Sequence, residues 1–156
     1  MRAVVQVVKK AKLSSCKSPF SKIEKGFVVM LGIKDDDTEK DVEYLMSKIE
    51  KLRVFKDENG KLNLSLKDVC GSVLLVSNFT LYGTTIGFNR PSFVRAAHPE
   101  KSKPLYDYAV KILSEHVHVE TGVFRTEMEI DLTLDGPCTI LLDSEKMLWF
   151  ESGLIC

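Results

Sequence analysis

A short polar segment, Ser77-Asn78-Phe79-Thr80, directly follows the apolar run Val73-Leu74-Leu75-Val76. A buried strand that opens into a loop presents main-chain N–H groups and small hydroxyl side chains at its end. Donors aimed at a developing oxyanion, worth roughly 3–4 kcal/mol each in known cases, can hydrolyse an activated ester without a charged catalytic residue. The alternative interpretation is that Ser77 and Thr80 merely terminate the strand.

The dipeptide Gly136-Pro137 lies between two apolar runs, 128–134 and 138–142. Proline has no N–H for a sheet ladder, so it belongs at a strand edge, a bulge or a turn. Glycine tolerates backbone angles that are closed to other residues, and a bond that precedes proline can be cis. The step predicts a rigid corner whose two carbonyl oxygens could grip a small ligand group. An ordinary turn is the alternative.

Several other classes of site are excluded by missing motifs. The chain has no G-x-S-x-G elbow, Walker loop, G-x-G-x-x-G or H-E-x-x-H. Its cysteines have no C-x-x-C spacing, which argues against a zinc ribbon or a redox pair. The histidines are interpreted as capping or solvated rather than catalytic, and they are His98, His116 and His118.

The elements that position these segments are strands and two helices in mixed order, which predicts an α/β fold. The predicted strands are Arg2–Lys9, Gly26–Ile33, Arg53–Phe55 with Leu62–Leu64, Val73–Val76 and the alternating run Glu127–Leu134. The first helix is expected to begin at Asp37 or Thr38, with an apolar stripe of Val42, Leu45, Met46, Ile49 and Leu52. The second is expected to begin at Pro104, with a stripe of Leu105, Tyr108, Ala109, Ile112 and Leu113.

The chain has 156 residues, 44% of them apolar, which is typical of one globular domain. Lys+Arg and Asp+Glu both number 22, which argues against non-specific polyanion binding. A lysine-rich N-terminal arm that includes Lys9 and Lys10 could still track phosphates, although a solvated strand face is the alternative. Lysines also interrupt any signal-peptide core, and no run approaches the ~20 apolar residues of a membrane span. Free cysteines then favour a reducing compartment, the cytoplasm.

Ser77–Tyr82, together with Asp135-Gly136-Pro137-Cys138-Thr139, resembles the motif pair of D-aminoacyl-tRNA deacylases. The resemblance covers residues 1 to about 144. Further segments in the family's order are Met1–Gln6, Leu31-Gly32-Ile33, Leu52–Phe55 with the Asp57–Gly60 loop, Arg90–Phe93, and Glu120-Thr121-Gly122 with Phe124. It implies a three-layer α/β/β fold with mixed and antiparallel sheets and two main helices. A domain over residues 1–144 would precede an apolar tail, 145–156, that packs on the body or on a second subunit.

By this resemblance the chain is a cofactor-free, metal-free hydrolase that releases D-amino acids, and glycine, from tRNA. The main chain of Ser77, Asn78, Phe79 and Thr80 would hold the ester and its oxyanion. Either Thr80 is the nucleophile or the terminal ribose hydroxyl of the tRNA assists. The second is favoured because no base lies near Thr80 in sequence. Phe79 and Met128 would enclose the terminal adenosine.

The family works as a homodimer. A cis Gly136-Pro137 bond from one subunit would enter the other's pocket, meet the substrate's α-amino group and exclude L-side chains. Arg90, Lys9 and Lys10 are expected to bind tRNA.

Two further hypotheses stay open, and the first of them follows from departures from the family pattern. Glutamine is usual at Asn78, asparagine at Leu134, arginine at Val7, and small residues at Arg125 and Thr126. A homodimer that has lost catalysis and binds nucleic acid or protein is the first alternative, and a pocket plugged by Arg125 or Phe88 would favour it. A deacylase of altered chirality is the second, and a trans Gly136-Pro137 bond would favour it.

Overall fold

The computed structural model describes residues 1–15, 18–87 and 89–145. Phe88, Cys16 and most of the predicted tail (146–156) lie outside the described residues. In chain order the elements are β1 Arg2–Ser15, β2 Ser18–Ile23, β3 Gly26–Gly32, α1 Glu39–Lys51, β4 Phe55–Lys56, β5 Leu62–Leu64, β6 Ser72–Ser77, a 3-10 turn Phe79–Tyr82, α2 Pro99–Ser114, β7 His118–Thr121 and β8 Glu129–Asp143.

The main sheet is mixed, and β1 is its hub. Strand order is β2-β1-β3-β6-β7, with β8 also paired to β1. β1 runs antiparallel to β2, β3 and β8, whereas β3, β6 and β7 are mutually parallel. β4 and β5 form the predicted hairpin, which is a sheet of its own, although β4 spans Phe55–Lys56 rather than the predicted Arg53–Phe55. The carboxyl ends of the parallel strands therefore share one edge of the sheet, as in other sheets that bind ligands there.

Each face of the sheet covers its own apolar core, because successive strand side chains point to opposite faces. In β3, Val29 packs in the core beneath the helices, while Val28 packs in the second core. The second core also takes side chains from the second half of β1 and the first half of β8, including Leu13 and Leu132. The two helices form one layer, the central strands form a second, and the parts of β1 and β8 that cover the second core form a third. This arrangement confirms the predicted α/β/β architecture with two main helices.

The helices follow the predicted stripes with two corrections, both of them in α2. α1 begins after Thr38, whose N–H donates to Asp41 Oδ2 at 2.9 Å. α2 begins at Pro99, not at Pro104, which lies inside the helix. Proline is favoured in the first turn of a helix, and the Ser102 N–H already donates to the His98 carbonyl at 2.9 Å. The rotated stripe buries Tyr106, which the prediction left out, and leaves the predicted Tyr108 half-buried.

β1 and β8 are both longer than predicted. β1 continues to Ser15 because its distal half pairs with β8, with Ala11 opposite Leu132. β8 continues through Gly136-Pro137 to Asp143. The pairing with β1 jumps from Leu134 to Thr139, so the intervening residues leave the ladder as a bulge. A bulge is one of the three places predicted for this proline.

Candidate active site

The segment 77–82 lies at the carboxyl end of β6. Ser77 ends the strand opposite Leu31, and the Asn78 N–H donates to the Leu31 carbonyl at 2.8 Å. The chain then turns into the 3-10 turn Phe79–Tyr82. The predicted strand-to-loop opening is therefore held against the neighbouring strand by a main-chain hydrogen bond.

Gly32 allows this turn to lie close to β3. A Cβ atom at Gly32 would be 2.9 Å from Leu81 Cβ and 3.1 Å from the Asn78 carbonyl oxygen. Both distances are shorter than an ordinary contact between heavy atoms, roughly 3.5–4.0 Å between carbons. The missing side chain of Gly32 thus sets the position of the turn.

Tyr82 anchors the far end of the turn. Its side chain is 2% exposed and its ring lies under the Arg2 guanidinium, 4.9 Å from ring centre to Cζ. Burial raises the pKa of the Tyr82 phenol, with a further contribution from the Asp37 carboxylate. The hydroxyl is therefore neutral at physiological pH, and it has no hydrogen-bond partner among the described residues.

Asn78 caps the turn with its side chain. Asn78 Oδ1 accepts a hydrogen bond from the Thr80 N–H at 3.1 Å and another from the Thr80 hydroxyl. The Phe79 N–H, at the first position of the turn, has no acceptor within the described ranges. A free N–H at the start of a helical turn is a donor for a ligand oxygen. Asn78 thus occupies the Thr80 donors and leaves the Phe79 donor available.

An open cavity of about 630 Å³ begins at this turn. This volume falls within the range of small-molecule sites. Its lining brings together four predicted residues, Ser77, Asn78, Phe79 and Met128. Thr80 is exposed and lies outside the lining. The other lining residues, which sequence reasoning did not assign to the site, are Ile33, Phe93, Ala96, Ala97, His98, Pro99, Ser102, Phe124, Arg125, Thr126 and Glu127.

One wall of the cavity is aromatic. The rings of Phe79 and Phe93 meet edge to face, with centroids 5.1 Å apart. Phe79 remains 56% exposed, so one side of its ring is free to stack on a planar group. In the sequence, Phe93 stands out only as part of the segment Arg90–Phe93 that resembles the family. No periodicity in the sequence predicts its contact with Phe79.

Another part of the lining comes from the connection between β7 and β8. Met128 packs over Gly122, where an added Cβ would lie 2.5 Å from the Met128 sulfur. Arg125 also lies on this wall and leaves the cavity unfilled. The plug that would favour a binding module is therefore not formed by Arg125, while Phe88 lies outside the described residues.

His98 stands on the cavity wall, although its sequence context favoured a capping or solvated role. It is the N-cap residue of α2 and makes no side-chain cap hydrogen bond. Its main-chain carbonyl accepts a hydrogen bond from the Ser102 hydroxyl at 3.0 Å. Because α2 begins at Pro99 rather than at Pro104, its first turn, and not a loop, closes this side of the cavity.

Gly136 and Pro137 lie elsewhere in the chain. Their bond is cis, not trans, and φ at Gly136 is +126°. Both residues are exposed and line a separate hollow of about 400 Å³ with Val7 and Cys138. A single chain therefore does not bring this corner to the Ser77–Phe79 cavity.

The predicted tRNA-binding residues are all exposed but are far apart. Arg90 belongs to the loop pinned by the Thr84–Ser92 bridge, close to Phe93 in sequence. Lys9 and Lys10 follow Val8 in β1. Val8 pairs with Gly26, which pairs with Ser72, so the two lysines lie beyond the amino end of β6, whereas Ser77 lies at its carboxyl end. At about 3.3 Å per residue the two ends of β6 are roughly 16 Å apart. One chain does not bring these lysines to the cavity.

The described ranges contain no group of His, Cys, Asp or Glu side chains arranged to hold a metal ion. Within the same ranges, no helix is both long and apolar enough to cross a membrane.

Comparisons with known proteins agree on one family. The family described as D-Tyr-tRNA(Tyr) deacylase matches residues 4–143. A D-aminoacyl-tRNA deacylase of Kosmotoga olearia is 52% identical over 146 residues, covering 94% of this chain and 99% of the relative. One of Neisseria meningitidis serogroup B is 53% identical over 153 residues, covering 92% and 91%.

Two solved structures have the same fold. One titled c-Myc DNA Unwinding Element Binding Protein matches with a TM-score of 0.85 and 35% identity, covering 92% of this chain and 98% of that one. One titled as a probable eukaryotic D-amino acid tRNA deacylase has a TM-score of 0.77 at 15% identity, covering 90% and 97%, and shows the fold alone. With these relatives and the Ser77–Tyr82 turn in place, the chain belongs to the D-Tyr-tRNA(Tyr) deacylase family.

Proposed function

We propose that this chain hydrolyses the ester between a D-amino acid, or glycine, and the 3′ end of tRNA, without a cofactor. The products are the free amino acid and intact tRNA. The carrying observation is the free Phe79 N–H beside the cavity. The chain that holds it is 52% identical to a relative named D-aminoacyl-tRNA deacylase.

In this proposal the main chain supplies the catalysis. Water attacks the ester carbonyl, and the oxygen that becomes negative accepts a hydrogen bond from the Phe79 N–H. The bond to the ribose oxygen then breaks, and that oxygen takes up a proton. The terminal ribose hydroxyl of the tRNA assists the attack, while Ser77 and Asn78 keep the turn in position.

Thr80 is not the nucleophile in this mechanism. Its hydroxyl donates to Asn78 Oδ1, an amide oxygen that cannot remove a proton at neutral pH. No histidine, lysine or carboxylate among the described residues is bonded to it. A threonine nucleophile requires such a base.

Chirality is read by a second copy of the chain. Gly136 and Pro137 are exposed and separated from the cavity of their own chain. On the same strand, Leu134 is 38% exposed and Leu141 63% exposed, an apolar surface suited to a partner. In the homodimer the Gly136-Pro137 corner enters the partner's cavity, where its carbonyls meet the α-amino group and an L-side chain collides with it.

The tRNA is held by its phosphates and by its terminal adenosine. Phe79 and Met128, which both line the cavity, enclose the adenosine. Arg90 binds near the 3′ end, and Lys9 and Lys10 contact phosphates farther along the tRNA or on the partner's substrate. The reaction takes place in the cytoplasm, where aminoacyl-tRNA is used.

The test compares hydrolysis of D-Tyr-tRNA, L-Tyr-tRNA and Gly-tRNA by the purified chain. Rapid release from D-Tyr-tRNA with L-Tyr-tRNA spared is the expected result, and equal rates on both would refute it. Pro137→Ala should raise the rate on L-Tyr-tRNA more than the rate on D-Tyr-tRNA. An unchanged D/L ratio in that variant would remove the corner from the mechanism.

The alternative of a binding module without catalysis is not favoured. It was motivated by Val7, Asn78 and Leu134, but Asn78 caps the turn through its shorter side chain. Arg125 leaves the cavity open. The relatives that are about half identical to this chain are named as deacylases.

A further inference from the structure

Arg125 has an unusual backbone conformation on the cavity wall. Its φ is +56°, and Cys70, in a turn away from the cavity, is the other non-glycine residue with positive φ among those described. The left-handed region is disfavoured for residues with a Cβ, and such outliers persist where the surroundings impose them.

Packing on both sides of Arg125 imposes this conformation. The Phe124 ring lies 5.9 Å from the Tyr106 ring of α2. On the other side, Met128 lies directly over Gly122. The short link between these two anchors must turn sharply, and the turn puts Arg125 on the lining of the cavity.

The Arg125 guanidinium is a free cation. The side chain is exposed, and it makes no ion pair, hydrogen bond or ring contact with any described residue. Lys34, by contrast, bonds to the carboxylates of Asp36 and Glu145. Glu127, the other charged residue of this wall, is not paired with Arg125. An unpaired arginine that packing holds on the lining of a cavity presents its donors to an anionic ligand there.

We propose that Arg125 binds the phosphodiester on the 5′ side of the terminal adenosine of the tRNA. This inference rests on the proposed function. A guanidinium presents a planar fork of donors that matches two oxygens of a phosphate. Every aminoacyl-tRNA carries this phosphate one ribose away from the ester, whereas an acidic side chain is present in few substrates. Arg125 therefore holds the substrate from the part of the cavity formed by the β7–β8 connection and does not take part in bond breaking.

The test removes the cation and the phosphate separately. Arg125→Gln and wild type are compared on D-Tyr-tRNA and on 3′-O-D-tyrosyl-adenosine, which carries the ester but no phosphate. On the tRNA, the variant should lose about tenfold in kcat/KM, with the loss in KM, as befits one charge-assisted contact. The ratio of wild-type to variant kcat/KM should approach one on the adenosine ester. The slope of log KM against log salt on the tRNA should fall by about 0.7.

Three further variants separate binding from a structural role. Arg125→Lys should recover part of the loss on tRNA, because it keeps the charge but not the fork. Arg125→Gly should show the KM defect of Arg125→Gln with a higher Tm, because glycine relieves the positive φ. Glu127→Gln should lower KM on the tRNA, because it removes a negative charge near the phosphate.

Two outcomes would overturn the inference alone. In one, the wild type is active and Arg125→Gln loses the same factor on D-Tyr-tRNA and on the adenosine ester, so Arg125 shapes the cavity. In the other, D-Asp-tRNA is measured as a third substrate and the loss is confined to it, so Arg125 reads an acidic side chain. A wild-type protein inactive on D-Tyr-tRNA would overturn the proposed function, and this inference with it.

Discussion

Substitution of Gly32 by alanine should displace the Phe79–Tyr82 turn without breaking the fold. The added Cβ would lie 2.9 Å from Leu81 Cβ and 3.1 Å from the Asn78 carbonyl oxygen. Normal carbon contacts are roughly 3.5–4.0 Å, so the turn must move outward by about 0.5–1 Å. Neither neighbour is the end of a flexible side chain, and the displacement therefore reaches the Phe79 N–H.

The expected loss of rate follows from this displacement. A misplacement of about 1 Å can cost roughly 100-fold, and removal of an oxyanion donor costs about 100- to 1000-fold. We therefore expect Gly32→Ala to lower the single-turnover rate on D-Tyr-tRNA by about 10- to 100-fold. Overpacking should also cost about 1–3 kcal/mol of unfolding free energy.

Gly71→Ala is the matched control. Its added Cβ would lie 2.9 Å from Leu66 Cδ2, which is the same closest distance as in Gly32→Ala. Gly71 precedes the first residue of β6, however, whereas Ser77 is the last residue of that strand. Because Leu66 Cδ2 is the end of a side chain that can shift, we expect a smaller loss of Tm than in Gly32→Ala and an unchanged single-turnover rate. If Gly32→Ala loses stability but keeps the wild-type rate, the position of the turn does not control catalysis and the reasoning is refuted.

Two further substitutions test the cavity and the core one at a time. Gly122→Ala should swing the flexible end of Met128 off the cavity wall, because the added Cβ would lie 2.5 Å from its sulfur. We expect a KM several-fold higher with little change in Tm, and an unchanged KM would mean that Met128 does not contact the substrate. Tyr106→Phe removes the buried hydrogen bond from the Tyr106 hydroxyl to the Leu75 carbonyl, 2.8 Å long. Urea unfolding should show a loss of about 1–2 kcal/mol at unchanged kcat, and equal stability would show that the bond contributes nothing.

The strands that position the site could be predicted because their signals are local. The run Gly26–Ile33 is continuously apolar, as a strand buried on both faces must be, and it forms β3. The missing N–H of proline limited Gly136-Pro137 to a strand edge, a bulge or a turn, and the structure places it at a bulge in β8. The start of α2 was wrong because Pro99 and Pro104 are equally good first-turn residues when seen locally.

The far walls of the cavity could not be predicted from local patterns. Phe93 and Arg125 reach Phe79 and Ser77 only through the packing of α2 and the β7–β8 connection. No propensity marks an arginine for a positive φ, since that conformation is imposed by packing at its neighbours.

The central claim is that a main-chain N–H, and not a side-chain nucleophile, performs the catalysis. Thr80→Val tests it directly, because valine keeps the shape of threonine and the Thr80 N–H bond to Asn78, but removes the hydroxyl. Loss of one exposed hydrogen bond of about 0.5–1.5 kcal/mol predicts a single-turnover rate on D-Tyr-tRNA within roughly tenfold of wild type. A rate about 10⁴-fold lower or more at unchanged Tm, as expected for a lost nucleophile, would contradict the account.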